Sequence, residues 1–181
     1  LRFDMLKIAK HIQNELQRGG QVFFIHNRIN ELEEFAQQLR KHFPKAIIRT
    51  ASGRTKRSEL EKTMLDFMEY RIHILVCTTI VENGVDLPNV NTIFINNAHH
   101  MGLSQLYQLR GRVGRGKEQG HCILLIPPES LNQDALARVN ALKQFTSLGS
   151  GFAIANADLE IRGSGDLLGK EQSGNINSIS K

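Results

Sequence analysis

Apolar residues along this chain alternate between two rhythms. Short, mostly apolar runs recur at Val22–Ile25, Ala46–Ile48, Ile72–Cys77, Thr92–Ile95 and Cys122–Ile126, the first of them without a break. Runs of that length without polar alternation are what a parallel strand needs when both of its faces are covered. Between them the spacing turns helical. Met5, Ile8, Ile12 and Leu16 share one face of a first helix that Gly19 and Gly20 end. Leu32, Phe35, Ala36, Leu39 and Phe43 line a second, with Asn30 and Glu33 placed as a capping box. Leu60, Met64, Phe67 and Met68 form the inner side of a third, over about residues 56–69. Strands alternating with helices in this way predict an α/β fold with a mostly parallel sheet and right-handed connections. From about Leu131 the rhythm changes. Ala135, Val139, Leu142 and Phe145 mark one long helix, with no strand expected after it. The segment from Gly149 onward is rich in glycine, serine and asparagine and reads as an appended helix and loop. Two units follow: 1–128, and a helical extension over 129–181.

Composition narrows the reading only a little. With 181 residues, 40% of them hydrophobic and 23% charged, the chain can bury one proper core. A net charge of +5 is mildly favourable to a polyanionic partner. No apolar run approaches membrane-spanning length, and no signal peptide is present. The chain opens at Leu1 inside an amphipathic pattern, so it is expected to be a piece of something longer. Cys77 and Cys122 sit inside strand-like runs without CxxC spacing, which predicts buried, reduced thiols and no metal site.

The densest chemistry lies between Gln105 and Gly116. On a helix entering from Leu103, Gln108 and Arg112 are four apart and share a face, with Arg115 one turn further on. Gly111 and Gly114 stand between them and give the guanidinium groups room. Two forked cations and one amide converging on a point suit a polyphosphate. A second cluster follows the run ending at Cys77. Thr78 and Thr79 offer hydroxyls at a helix entrance, Gly84 permits a close approach, and Asp86 could accept hydrogen bonds from a ribose. A third follows Ile25: His26, Asn27 and Arg28 lie at the carboxyl end of a strand, the edge where open α/β sheets place ligands. Equally telling is what the sequence lacks. It contains no G-x-x-x-x-G-K-[ST] loop and no D-E-x-[DHQ] box, so it carries one wall of a nucleotide site.

The pattern Q-x-x-G-R-x-G-R at 108–115 resembles motif VI of superfamily 2 helicases and translocases. Thr78–Pro88 resembles their motif V and Val22–Arg28 their motif IV. The flanks are similar to a narrower group, the RecG-type helicases and the bacterial transcription-repair coupling factors. Val76–Ile80, Asn91–Ile95, Gly102–Leu106, Leu148–Ala153, Asp158–Gly165, Asp166–Gly169 and Glu171–Gly174 carry that likeness, and Cys77 and Leu148–Phe152 lean toward the coupling-factor family. Ser52-Gly53, Asn83 and the His99–His100 pair depart from its usual residues; the histidine pair reads as solvated.

The resemblance implies a RecA-like domain, the second motor half of an ATP-dependent double-stranded DNA translocase, inactive alone. It implies ATP with Mg²⁺ held mainly by the first RecA-like domain of the same chain. Arg112 and Arg115 would be fingers on the γ-phosphate, Gln108 would position water, and Gly84 and Asp86 would meet the nucleotide. Arg28, Thr78 and Thr79 would grip the DNA backbone, and Arg162 and Gln172 would couple hydrolysis to movement. Implied partners are duplex DNA and, through other parts of the full protein, RNA polymerase and UvrA, in a bacterial cytoplasm. Alternatives are a RecG-type fork-reversal domain and a non-catalytic scaffold of the same fold. A self-contained dinucleotide enzyme would need a G-x-G-x-x-G after its first strand, which is missing.

Overall fold

In a computed structural model of the chain, residues 5–79, 90–113, 120–146 and 153–156 are described. In chain order the elements are α1 (Met5–Gln17), β1 (Gln21–Ile25), α2 (Leu32–His42), β2 (Ile48–Ala51), α3 (Arg57–Met68) and β3 (Ile74–Cys77). They continue with β4 (Val90–Asn96), α4 (Leu103–Arg110), β5 (His121–Leu125), α5 (Gln133–Thr146) and β6 (Ala153–Asn156). The strands form one sheet in the order β2-β3-β1-β4-β5-β6, and every pair is parallel.

Strand β1 is central and buried along its whole length, flanked by β3 and β4. Its side chains alternate between two cores. Val22 and Phe24 join Ile74, Val76, Phe94 and Ile123 under α1 and α2. Phe23 and Ile25 join Leu75, Cys77, Ile93 and Leu124 on the opposite face, under α3, α4 and α5. The Phe24 ring lies 4.4 Å from that of Phe35 and 5.4 Å from that of Phe94. A buried phenylalanine of this kind is worth about 3–5 kcal/mol against alanine.

The helical faces expected from spacing are largely those observed. Ile8 and Ile12 are buried, with Met5 and Leu16 packed at the margin; Leu32, Phe35, Ala36 and Leu39 are buried on α2. Gly19, at φ +79°, turns the chain out of α1. At Gly20 a side chain would collide with the buried Glu15 carboxylate. That carboxylate accepts hydrogen bonds from Thr92 Oγ1 (3.1 Å) and Arg18 Nε (2.5 Å), tying α1 to β4. Both cysteines are buried thiols outside any disulfide, and burial pushes the Cys122 thiol up to about 12.

Several expectations need correction. The run at Ala46–Ile48 is a strand shifted to Ile48–Ala51. Met68 is 42% exposed: Leu60, Met64 and Phe67 cluster within a narrow arc of the helix, and residue 68 falls beyond its edge. No capping box forms at α2, because a 3₁₀ turn over Ile29–Glu31 precedes it. Asn30 Oδ1 instead accepts from Arg54 Nη1 (3.3 Å). Glu33 pairs with Arg40 (2.6 Å) and accepts from Thr50 Oγ1 (3.1 Å). Most consequentially, a strand does follow the long helix. β6 adds in parallel to β5, with His121 opposite Ala153 and Leu124 opposite Asn156. Its four residues, two of them alanine, lack both a bulky apolar run and an alternation, so periodicity could not reveal it. At the other margin of the sheet β2 has no strand on its outer side among the described residues. There Arg40 Nη2 (3.1 Å) and Arg49 Nη1 (3.2 Å) both donate to the Ile48 carbonyl.

Helix α3 ends in a strained turn. Arg71 N–H donates to the Asp66 carbonyl (2.8 Å) and Tyr70 N–H to that of Phe67 (3.1 Å). This leaves Tyr70 left-handed at φ 61° with its ring half exposed. Glycine is the usual occupant of such a position. Tyr70→Gly is expected to raise the free energy of unfolding by about 1 kcal/mol in urea titration. An unchanged or lower midpoint would mean that the ring's contacts outweigh the strain.

Candidate functional site at the carboxyl edge of the sheet

Because all described strands run the same way, their carboxyl ends converge on one edge. Ile25 pairs with Cys77 on one side and Ile95 on the other. One residue further, His26, Thr78 and Asn96 therefore follow in register along β1, β3 and β4, about 5 Å apart from strand to strand. All three continue the face of Phe24, Val76 and Phe94, and all three are buried. His26 N–H donates to the Cys77 carbonyl (2.8 Å) and Thr78 N–H to that of Ala51 (3.2 Å), extending the ladder. The side chains are less well served. His26 Nε2, Thr78 Oγ1 and Asn96 Oδ1 are buried without a hydrogen-bond partner. Such atoms in a native fold call for an explanation, and a row of three at a ligand-binding edge is a functional signal.

The His26 ring lies 5.6 Å from Phe35 and turns Nδ1 back to its own loop, where the Arg28 amide N–H donates to it at 3.2 Å. Burial lowers the proton affinity of this imidazole; the nearby Glu31 carboxylate and the Arg28 backbone oppose that only in part. Arg28 itself is exposed and forms a 2.8 Å ion pair with Glu31. The same hydrogen bond holds the Glu31 carboxyl below its ordinary value. An anion entering here would compete with Glu31 for the guanidinium. Thr79, the last described residue after β3, is half-buried.

The arginine stretch differs from its expected geometry. Helix α4 ends at Arg110, and the chain then tightens: Gly111 N–H still reaches the Tyr107 carbonyl (3.0 Å). Arg112 N–H bonds to Leu109 (3.1 Å) and Val113 N–H to Arg110 (3.1 Å), each three residues back. Gln108 and Arg112 therefore do not share the face of one continuous helix. Gln108 is exposed on the last turn, and Arg112 is half-buried in the turn beyond. Glycine's low helix propensity at 111 is the local cause. A side chain at 111 would make only ordinary contacts, 3.4 Å from the Gln108 carbonyl, so close packing does not require glycine there. Leu106, Leu109 and Val113 anchor this stretch in the core under α5.

Two arginines that sequence reasoning passed over fasten the stretch from outside. Arg110 stacks on Tyr107, 4.5 Å from the ring centroid, and donates to the Leu142 carbonyl on α5 (3.2 Å). Arg138 on α5 donates through Nη1 to the carbonyls of His99 (2.9 Å) and Met101 (2.7 Å), in the loop that leads into α4. Their only sequence signal was a basic residue on a helix. His100 is exposed as expected, but His99 is half-buried, 4.0 Å from it ring to ring. Desolvation, His100 and Arg138 together lower the His99 proton affinity. No group of three or more metal-ligating side chains occurs among the described residues.

The structure thus places Arg28, Thr78 and Thr79 after adjacent strands, and it ties α4, which carries Gln108, and the turn of Arg112 beyond it to α5. Gly84, Asp86, Arg115, Arg162 and Gln172 lie outside the described residues.

Comparison with known proteins sets this geometry in context. Residues 5–117 match the family model for the helicase conserved C-terminal domain. The chain is 46% identical over 99% of its length to the transcription-repair-coupling factor of Myxococcus xanthus, of which it covers 15%. It is 45% identical over 98% of its length to that of Escherichia coli (strain K12), of which it covers 16%. It therefore spans about a sixth of the length of these two relatives. Among solved structures it resembles RecG bound to a three-way DNA junction, at TM-score 0.62 and 34% identity, over 75% of this chain and 19% of that one. It also shares the fold of the C-terminal domain of the DEAD-box protein Dbp5, at TM-score 0.63 and 16% identity, over 86% and 83% of the two chains.

His26 generates a pH dependence of definite sign. Its folded-state proton affinity lies below the ordinary value of 6.5. Its contribution to stability is therefore complete above that value and is lost as the pH falls through it. Between about pH 7.5 and about pH 5.5 the urea midpoint of the parent should fall more steeply than that of His26→Gln. His99 acts with the same sign in both proteins, so the difference isolates His26; parallel curves would refute the assignment.

Proposed function

Because the chain belongs to the helicase conserved C-terminal domain family, we propose that it is the second RecA-like motor domain of an ATP-dependent double-stranded DNA translocase of the transcription-repair-coupling type. The observation that carries this reading is the polar carboxyl edge of the parallel sheet. Arg28, Thr78 and Thr79 follow neighbouring strands there, and the buried Thr78 Oγ1 is itself one of three polar atoms without partners, beside His26 Nε2 and Asn96 Oδ1. Threonine hydroxyls and an exposed guanidinium are donors suited to phosphodiester oxygens, which position a duplex without reading its sequence. The identity of 45–46% to coupling factors, against 34% to RecG, favours the former over a fork-reversal helicase.

In this reading ATP binds between this domain and a first motor domain, which supplies the phosphate loop and the carboxylates that hold Mg²⁺. Arg112 and Arg115 meet the γ-phosphate, where their charge matters most as negative charge redistributes in the transition state. Gln108, exposed at the end of α4, positions the attacking water, and Gly84 and Asp86 meet the ribose side of the nucleotide. Arg162 and Gln172 couple cleft closure to the duplex. RNA polymerase and UvrA are partners of other parts of the full protein, and the bacterial cytoplasm is its site of action. A RecA-like scaffold without catalysis is the contrary reading, and the retained Gln108, Arg112, Arg115 and Asp86 argue against it.

The test is turnover in the full-length polypeptide. Arg112→Ala or Arg115→Ala should cut DNA-stimulated ATP hydrolysis on the order of a thousandfold while ATP still binds. Parental turnover in both variants would sink the finger assignment. Arg162→Ala should keep most of the ATPase but lose displacement of a triplex strand; equal loss of the two would move Arg162 into the nucleotide site.

A further inference from the structure

Between the edge that carries Arg28 and the helix that carries Gln108 stands a side-chain link centred on Asn27. The Asn27 Oδ1 atom accepts two amide hydrogen bonds, from Asn96 Nδ2 at 3.4 Å and from Asn97 Nδ2 at 3.1 Å. Asn27 immediately precedes Arg28 in the turn after β1. Asn96 ends β4, and Asn97 opens the loop that runs into α4. The backbone at Asn97 is left-handed, φ 50° and ψ 48°, a conformation asparagine tolerates better than most residues. From there the loop is held at every step. His100 N–H bonds to the Asn97 carbonyl (3.0 Å) and Met101 N–H to that of Ala98 (3.0 Å). Arg138 holds the carbonyls of His99 and Met101 from α5. Gly102 then caps α4.

Five residues, Asn97–Met101, are thereby clamped at both ends, by Asn27 at the start and Arg138 at the finish. Beyond them comes the helix of Gln108 and then Arg112. On the other side of the Asn27 amide, the same turn holds Arg28 through the His26 ring. We propose that Asn27 is a positioning residue that couples the β1 turn to the arginine stretch. Displacing Arg28 when DNA binds would shift the Asn27 carbonyl and, through Asn97, the loop that sets the entry of α4. This rests on the reading of the edge as a DNA grip. Asn27 itself needs no contact with DNA or nucleotide. The chemistry requires an oxygen that can accept two donors at once, which the amide supplies and a carboxylate would also supply. An alanine would release both asparagines and free the loop at its left-handed start.

Two measurements on the full-length polypeptide test this. The first is amide hydrogen exchange over residues 98–102, which should accelerate about tenfold or more in Asn27→Ala without DNA or ATP present. The second is the ratio of ATP turnover with and without duplex DNA. Asn27→Ala should lower that ratio about fivefold or more and leave DNA-free turnover unchanged. Asn97→Gly, which keeps the left-handed turn easy but removes the amide, should do the same. The double variant should be no worse than either single one, because both cut one link. Asn27→Asp should retain most of the ratio. Unchanged exchange, an unchanged ratio, an equal fall in both turnovers, additive losses in the double variant, or Asn27→Asp as impaired as Asn27→Ala would each overturn the proposal. If the unsubstituted polypeptide shows no DNA stimulation, the DNA-grip reading falls instead, and the exchange result still decides whether Asn27 holds the loop.

Discussion

Every feature of this domain that bears on function depends on the pairing of β1 in parallel with two neighbours at once. Parallel pairing on both sides requires cover on both faces, which is why Val22, Phe23, Phe24 and Ile25 are all apolar and all fully buried. It also fixes direction. With β3 and β4 running the same way as β1, His26, Thr78 and Asn96 come level at one edge irrespective of what the loops beyond them do. The opposite edge, where Glu15, Gln21 and Thr92 are buried, is stitched internally. Gln21 Nε2 donates to the carbonyls of Phe67 (2.6 Å) and Ile72 (2.7 Å), and Thr92 to Glu15. Among the described residues that edge leaves one buried polar atom without a partner, Glu15 Oε1, whereas the carboxyl edge leaves three in a row.

The side chains that organise the working end are mostly not the ones that would touch a ligand. Arg110 and Arg138 spend their donors on backbone carbonyls of α5 and of the loop before α4, so the arginine stretch is located by contacts on its flanks. Guanidinium groups suit this use because one planar fork can hold two carbonyls in a fixed relation. Asn27 does the complementary task with an acceptor. The loop from Asn97 to Met101 is thus rigid by hydrogen bonding, with Ala98 and Met101 as its buried apolar anchors.

The architecture was legible in the sequence wherever bulky apolar residues kept a period. The central strands and the inner faces of α1 and α2 are long and regular enough for burial alone to dictate them. Legibility failed where small residues or local hydrogen bonds decided the outcome. β6, with two alanines in four residues, owes its place to pairing with β5 and carries no hydrophobic signal. The entry to α2 follows a 3₁₀ turn because Glu33 is drawn to Arg40 and Thr50, tertiary partners that no local motif announces. At the candidate site the residue types and the strand ends could be read, because a parallel sheet obliges ligand-facing residues to follow its strands. The asparagine cluster could not, since Asn27 and Asn97 are 70 positions apart and meet only after β1 and β4 have paired. The end of α4 before Arg112 was missed for a related reason. Spacing places residues four apart on one face only while the helix lasts.

The arginine caps on β2 have a consequence beyond the site. β2 is one of the two outer strands of the sheet, and a bare margin invites a strand from another molecule. The carbonyl of Ile48 points away from β3, and both Arg40 and Arg49 have already claimed it. A second chain approaching this margin would meet two fixed positive charges where it needs a free acceptor. Protection against self-association at this margin is therefore built into the fold by side chains, and it comes without a bulge or a proline in β2.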